Sequence, residues 1–218
     1  LKVDDVIALI DGKDFSSADV PSTIDALRGT PGTKLALKIL RNGLENDFEL
    51  VRENYITSDV AVKSIASNVA LIRIEAFSER VVADTLTGLS QVKYGKGVVI
   101  DLRDNPGGVL TSATDFVQLF IRSGLIVSYD RGSGKRIALE ADNKNPISVP
   151  ITIIVNENTA SSAEVVAGAL QDRNRGVVIG TKTFGKGSVQ ESITLSNGAS
   201  LETTVGKFRT PSGRFIDK

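Results

Sequence analysis

The chain has 218 residues, 41% hydrophobic and 24% charged, enough to bury a sizeable core in one large domain or two small ones. Lys plus Arg equal Asp plus Glu at 26 each and no run of like charge occurs, so electrostatics name neither nucleic acid nor an acidic surface as a partner. Cys, His, Met and Trp are absent, which excludes disulfides, thiol nucleophiles, structural zinc sites and any Ser-His-Asp triad within these residues. A serine hydrolase built from this chain must therefore use lysine as its base. The longest apolar stretches, such as 97–100 and 151–155, are strand-length and too short to span a bilayer as a helix. The missing Met and the start at Leu1 suggest a piece of a longer precursor, and the redox compartment stays open.

In chain order, residues 1–53 read as a small module. A strand is expected at 6–9, a turn at Asp11-Gly12, and a helix over 20–27 that carries Val20, Ile24 and Leu27 at helical spacing and ends at Gly29. Strands at 34–40 and 47–52 alternate apolar and polar residues around Asn42-Gly43, a hairpin signal. The stretches LKVDDVIALIDGKDF and ALRGTPGTKLALKILRNG resemble the back end of a PDZ domain. That resemblance implies a module that grips a peptide carboxylate with a loop lying before these residues.

From residue 54 the pattern changes to longer apolar strands alternating with amphipathic helices, which predicts an α/β domain with a largely buried sheet over 54–218. Strands are predicted at 69–74, 97–102, 151–155 and 176–179, and helices at 79–93, 110–121 and 161–173. Two further strands, 188–195 and 199–205, flank a second hairpin signal at Asn197-Gly198. The charged stretch 128–145 reads as a surface excursion, and there is no internal repeat.

Three segments carry candidate chemistry. In NENTASSAEV, residues 156–165, a polar loop runs from a buried strand into an amphipathic helix and sets Ser161 at the helix start, where backbone N–H groups and the dipole favour an oxyanion. The same residues also read as a capping box, with Ser161 as N-cap and Glu164 three places on. GTKTFGKGS, residues 180–188, nearly completes a phosphate-binding loop, but Gly187 stands where a hydroxyl should hold magnesium, and 188–195 alternates like a strand where a helix should open. Lys186 could otherwise be a solvated loop residue or a general base. To serve as a base it must lose its charge, and burial against Phe184 and the preceding strand is one way, because apolar surroundings pull a lysine down from its reference pKa of roughly 10.4. Gln190 could orient the amine. In DLRDNPGGVL, residues 101–110, the N–H of Gly107 or Gly108 could donate to an oxyanion together with the amide of Ser162, or the pair could be an ordinary strand-to-helix turn.

The stretches VIDLRDNPGG, VNENTASSAEVVAGALQDRNRGVVIGTKTFGKGSVQ, LSNGASLETT and RTPSGR resemble, in composition and order, the signature stretches of the carboxy-terminal processing (tail-specific) peptidases. The resemblance implies an α/β fold with a crotonase/ClpP-like protease core over 54–218, following a partial PDZ domain at 1–53. It implies Ser161 as nucleophile, matching the first serine of the family's T-A-S-A-S-E pattern, Lys186 as base, and Gln190 as third member of a Ser-Lys-Gln arrangement. Here the chain reads Ser161-Ser162-Ala163-Glu164, so Ser162 becomes a rival nucleophile, while Ser161 keeps the family's spacing to Lys186. The implied activity is endopeptidase cleavage through an acyl-enzyme, acting on proteins or peptides with nonpolar C-terminal tails, with no cofactor and no metal. The implied setting is extracytoplasmic: periplasm, cell envelope or thylakoid lumen. Any membrane association would come from segments outside these residues, and the oligomeric state stays open. The readings from other classes are a catalytically silent PDZ-bearing scaffold and an NTPase.

Overall fold

The computed structural model describes residues 1–53, 58–131 and 134–217. The chain divides into two compact units, Leu1–Thr57 and Ser58–Lys218. The division expected after residue 53 falls beside residues 54–57, which lie outside the described ones.

The first unit comprises β1 (Val6–Ile10), β2 (Lys13–Asp14), α1 (Val20–Leu27), β3 (Lys34–Arg41) and β4 (Leu44–Val51), with the antiparallel sheet in the order β2-β1-β3-β4. Asp11-Gly12 and Asn42-Gly43 both place two consecutive residues at positive φ, the two-residue turn whose twist matches antiparallel strands. Asp19 caps α1 by accepting from the Ser22 N–H at 2.7 Å, and Pro21 lies in the first turn, where no backbone donor is needed. Ile10, Leu35 and Leu37 form the small core, with Leu27 packed at its margin. Val20 and Ile24 stay exposed, so the apolar stripe expected to bury α1 contributes only its last residue.

The second unit opens with β5 (Val60–Ala66), β6 (Val69–Ile74), α2 (Val81–Ser90), β7 (Gly97–Asp101), α3 (Leu110–Gln118), β8 (Ser123–Asp130) and β9 (Arg136–Asp142). It continues through β10 (Ile151–Val155), α4 (Ser162–Asp172), β11 (Val177–Gly180), β12 (Ser188–Thr194) and β13 (Ser200–Arg209). A five-stranded sheet runs β11-β10-β7-β6-β5, parallel except for β5 at the edge. A second sheet, β12-β13-β8-β9, is antiparallel throughout. The unit is thus a mixed α/β fold. Ile72, Ile100 and Ile153 of the three central strands are fully buried, and Phe77, Phe116 and Phe120 pack edge to face at 5.9 and 5.3 Å.

Two expectations change. The stretch 128–145 is no surface excursion: the end of β8 and all of β9 lie in it as a hairpin, paired through β8 to β13, with Ser128 and Ala141 buried. Arg136, Glu140 and Asp142 on the outer face of β9 hid the alternation of Ile137, Leu139 and Ala141 on the covered face. The strand β5 was also missed, because it is an edge strand with most side chains exposed. The consequence for function is that β6, β7, β10 and β11 all end at one edge of the parallel sheet. The loops after them carry the three candidate segments, where crevices form at the carboxyl ends of such strands.

Candidate active site

The loop from β10 to α4 is bolted to the loop after β7. Thr159, fully buried, donates its hydroxyl to Leu102 O at 2.8 Å, and the Ala160 N–H donates to Asn105 O at 2.9 Å. Asn156 and Asn158 donate to one oxygen of Asp104, at 2.8 and 2.9 Å, and these bonds hold the Asp104 carboxyl below the usual range. At the end of this braced loop Ser161 takes φ 56° and ψ −123°. A residue with a Cβ in such a conformation is strained by about 1–3 kcal/mol and persists only where its surroundings over-determine it. A serine that merely caps has extended backbone, so the capping reading does not account for this geometry. A sharp strained turn from strand to helix is instead how a nucleophilic serine is pushed out of a sheet. Ser161 is half-buried, whereas Ser162 is 1% exposed and its hydroxyl has no hydrogen-bond partner among the described residues.

The glycine segment lies against the serine. Asn105 is fully buried, donates to Ile74 O at 2.9 Å and accepts the Gly107 N–H at 2.8 Å. Gly107 and Gly108 have φ of +105° and +133°. A Cβ on Gly107 would stand 2.8 Å from the Ser161 Cβ, and one on Gly108 would stand 2.5 Å from Phe77 O, so neither position admits a side chain. Phe77 holds the segment from the other side, donating to Gly107 O and accepting from the Val109 N–H at 2.8 and 2.7 Å. The Gly107 N–H is therefore committed to Asn105. The N–H groups of Gly108 and Ser162 make no hydrogen bond among the described residues.

The third segment follows β11. Lys186, Gln190, Ser161, Ser162 and Gly108 line one cleft of about 320 Å³, with Pro106, Leu110, Val189 and Phe208 as its apolar walls. Lys186 itself is exposed and Phe184 is 45% exposed, so the apolar burial expected from Phe184 is not found. The loop is short and its outward side faces solvent. The lysine's backbone is tightly held all the same. The buried Glu164 carboxylate accepts the Lys186 N–H at 2.8 Å, the Gly185 N–H at 2.7 Å and the Thr183 hydroxyl at 2.7 Å, and it reaches back to the Ser161 N–H at 2.9 Å. Gln190 lies just past a register shift between Val189 and Gln190 in the β12–β13 ladder, a bulge of the kind that re-aims side chains beside sites.

The phosphate-loop reading fails on context. Ser188 opens a strand, and a side chain at Gly187 would collide with Ile216 O, so Gly187 serves close backbone packing. Below the cleft, Asp101 is buried between Arg103 and Arg73, with contacts of 2.7 and 3.1 Å. Burial pushes its carboxyl up, but the arginines outweigh this and hold it at about 2. Among the described residues no group of three His, Cys, Asp or Glu side chains could hold a metal ion. Asn105, Thr159 and the long reach of Glu164 escaped the sequence reading. Turn-forming Asn and Thr were visible in the motifs, but their partners lie 31 and 57 residues away, and the loop Glu164 holds lies about 20 residues on.

Residues 68–218 match the family model of peptidase family S41. The chain is similar to the carboxyl-terminal-processing protease of Synechocystis sp., 34% identical over all of this chain and 53% of that protein. It is likewise similar to the carboxy-terminal-processing protease of Bartonella bacilliformis, 36% identical over 97% of this chain and 51% of that protein. Among solved structures it resembles a photosystem II D1 C-terminal processing protease, with a TM-score of 0.65 and 26% identity over 98% of this chain and 60% of the other. The chain thus spans about half the length of the curated relatives it matches.

Proposed function

Since this chain belongs to peptidase family S41, we propose that it is the catalytic part of a carboxy-terminal processing serine endopeptidase working through a Ser161–Lys186 dyad. The observation that carries the reading is the meeting, in the lining of one cleft, of a strained serine at a helix start, a lysine and two residues, Gly108 and Ser162, whose backbone N–H groups are unengaged among the described residues. The uncharged Lys186 amine takes the Ser161 hydroxyl proton as Ser161 Oγ attacks the scissile carbonyl. The tetrahedral oxyanion is held by the Gly108 and Ser162 amides, and Gly107, whose amide is occupied, shapes the wall beside Ser161. The leaving amine departs with the proton from Lys186. Water, activated by the same lysine, then frees the acyl group from Ser161. A peptide seated over the cleft takes the exposed amine out of water, and desolvation favours the uncharged form of an amine.

Gln190, in the same cleft, orients the lysine as the third member of the site. Burial of Ser162 supports Ser161 over its neighbour as nucleophile. The β2-β1-β3-β4 sheet with α1 supports the PDZ reading of residues 1–53, and the parallel sheet supports the crotonase/ClpP-like reading of the rest. The substrate is a protein or peptide with a nonpolar C-terminal tail, and the setting is extracytoplasmic. Incubating the full-length protein with an unstructured substrate ending in apolar residues tests the proposal. Fragments should appear, and Ser161→Ala and Lys186→Ala should each lower kcat by about 10⁴-fold or more. Undiminished cleavage by either variant sinks the dyad.

A further inference from the structure

A capping box needs one bond from Glu164, to the Ser161 N–H. Glu164 accepts four. Its Oε2 receives the N–H groups of Ser161 and Lys186, and its Oε1 receives the Gly185 N–H and the Thr183 hydroxyl. An ionised carboxylate offers about four acceptor sites, so this one is saturated. The residue is 4% exposed and has no cation within ion-pair distance among the described residues. Its charge is compensated by hydrogen bonds and by the N-terminal end of α4, in whose first turn it lies. Burying a carboxylate without a counter-ion is costly, and holding a helix end does not call for it.

What this arrangement does do is place the peptide units of two residues on a single oxygen. The backbone nitrogens of Ser161 and Lys186 can be no further apart than two hydrogen-bond lengths. We infer that Glu164 is the positioning residue of the site, setting the spacing between nucleophile and base by tying the β10–α4 loop to the loop after β11. The inference rests on the reading of Ser161 and Lys186 as nucleophile and base. Glu164 touches neither substrate nor transferred proton; it acts through the backbone on which both side chains are mounted.

The test uses the full-length protein and a peptide substrate, at a temperature where each variant is folded by circular dichroism. Glu164→Gln keeps the shape but sets an NH₂ group against two of the four donors, releasing one side of the clasp. Its kcat should fall about 100-fold with KM changed by less than about twofold, the pattern of a lost near-attack geometry with binding intact. Thr183→Val should lose part of this activity, and Thr183→Ser, which keeps the hydroxyl, should restore it. If Glu164→Gln does not fold, the Thr183 pair decides. A kcat within about twofold of the unaltered protein, a change confined to KM, or a Thr183→Ser no better than Thr183→Val overturns the inference. Ser161→Ala is measured alongside. If it still cleaves, the dyad reading fails whatever Glu164 does; if it is dead while Glu164→Gln is fully active, only the positioning role falls.

Discussion

The two loops that meet in the cleft are held in opposite ways. On the serine side, buried Thr159 and Asn105, the glycine pair and Phe77 interlock through backbone bonds, and Ser161 is kept at a strained φ of 56°. On the lysine side Lys186 is exposed, and the loop is anchored by the bonds to Glu164 together with those from the Phe184 N–H to Thr159 O, the Thr181 hydroxyl to Glu157 and the Phe208 N–H to Gly187 O. The proposed nucleophile and oxyanion donors are thus held by interlocked loops, and the proposed base is mounted on a tethered but exposed segment.

The largest expected effect separates stability from activity. Ser161→Gly and Lys186→Ala should each lower kcat by about 10⁴-fold or more. Only Ser161→Gly should also raise the melting temperature, by about 2–4 °C, as relief of strain exceeds the flexibility glycine adds to the unfolded chain. Equal melting temperatures for the two variants would break the contrast. Next, Gly108→Ala should destabilise the fold by about 2–3 kcal/mol in urea titrations, since its Cβ would meet Phe77 O at 2.5 Å at a φ of +133°. It should also impair kcat, and a fully active and stable variant would show that the glycine loop is looser than described.

Acid should act on the serine side through Asp101. Its folded value of about 2 lies below the ordinary 3.8, so its contribution to stability is complete above that ordinary value and is lost as pH falls through it toward the folded one. Asp101→Asn should therefore flatten the fall in melting temperature over that window, and an unchanged slope would discount the arginine pairs. The smallest effect is expected of Gln190→Ala, a drop in kcat of about two- to tenfold, the measure of one hydrogen bond to the amine. A loss as large as that of Lys186→Ala would make Gln190 as essential as the lysine it is proposed to orient.

The parallel strands were legible because burial on both faces leaves continuous apolar runs: 69–74 and 151–155 coincide with β6 and β10. The β8–β9 hairpin was not, since the charged outer face of β9 masked its alternation and the strand that β8 pairs with, β13, lies far on in the chain. Of the candidate residues marked by their motifs, Ser161, Ser162, Lys186, Gln190 and Gly108 line one cleft, and Gly107 packs against Ser161. Glu164 was visible only as a cap, because the second half of its role belongs to donors about 20 residues further on.

Residue types alone ruled out a histidine base, left lysine as the one available, and marked the turns where backbone freedom or a helix start was needed, since these properties are local to a side chain or a short peptide. Which glycine amide is left unengaged, which serine is buried, that Lys186 is exposed and that one carboxylate ties both loops together were decided by tertiary contacts. Those depend on hydrogen bonds between segments distant in the chain, and nothing in either segment alone names its partner.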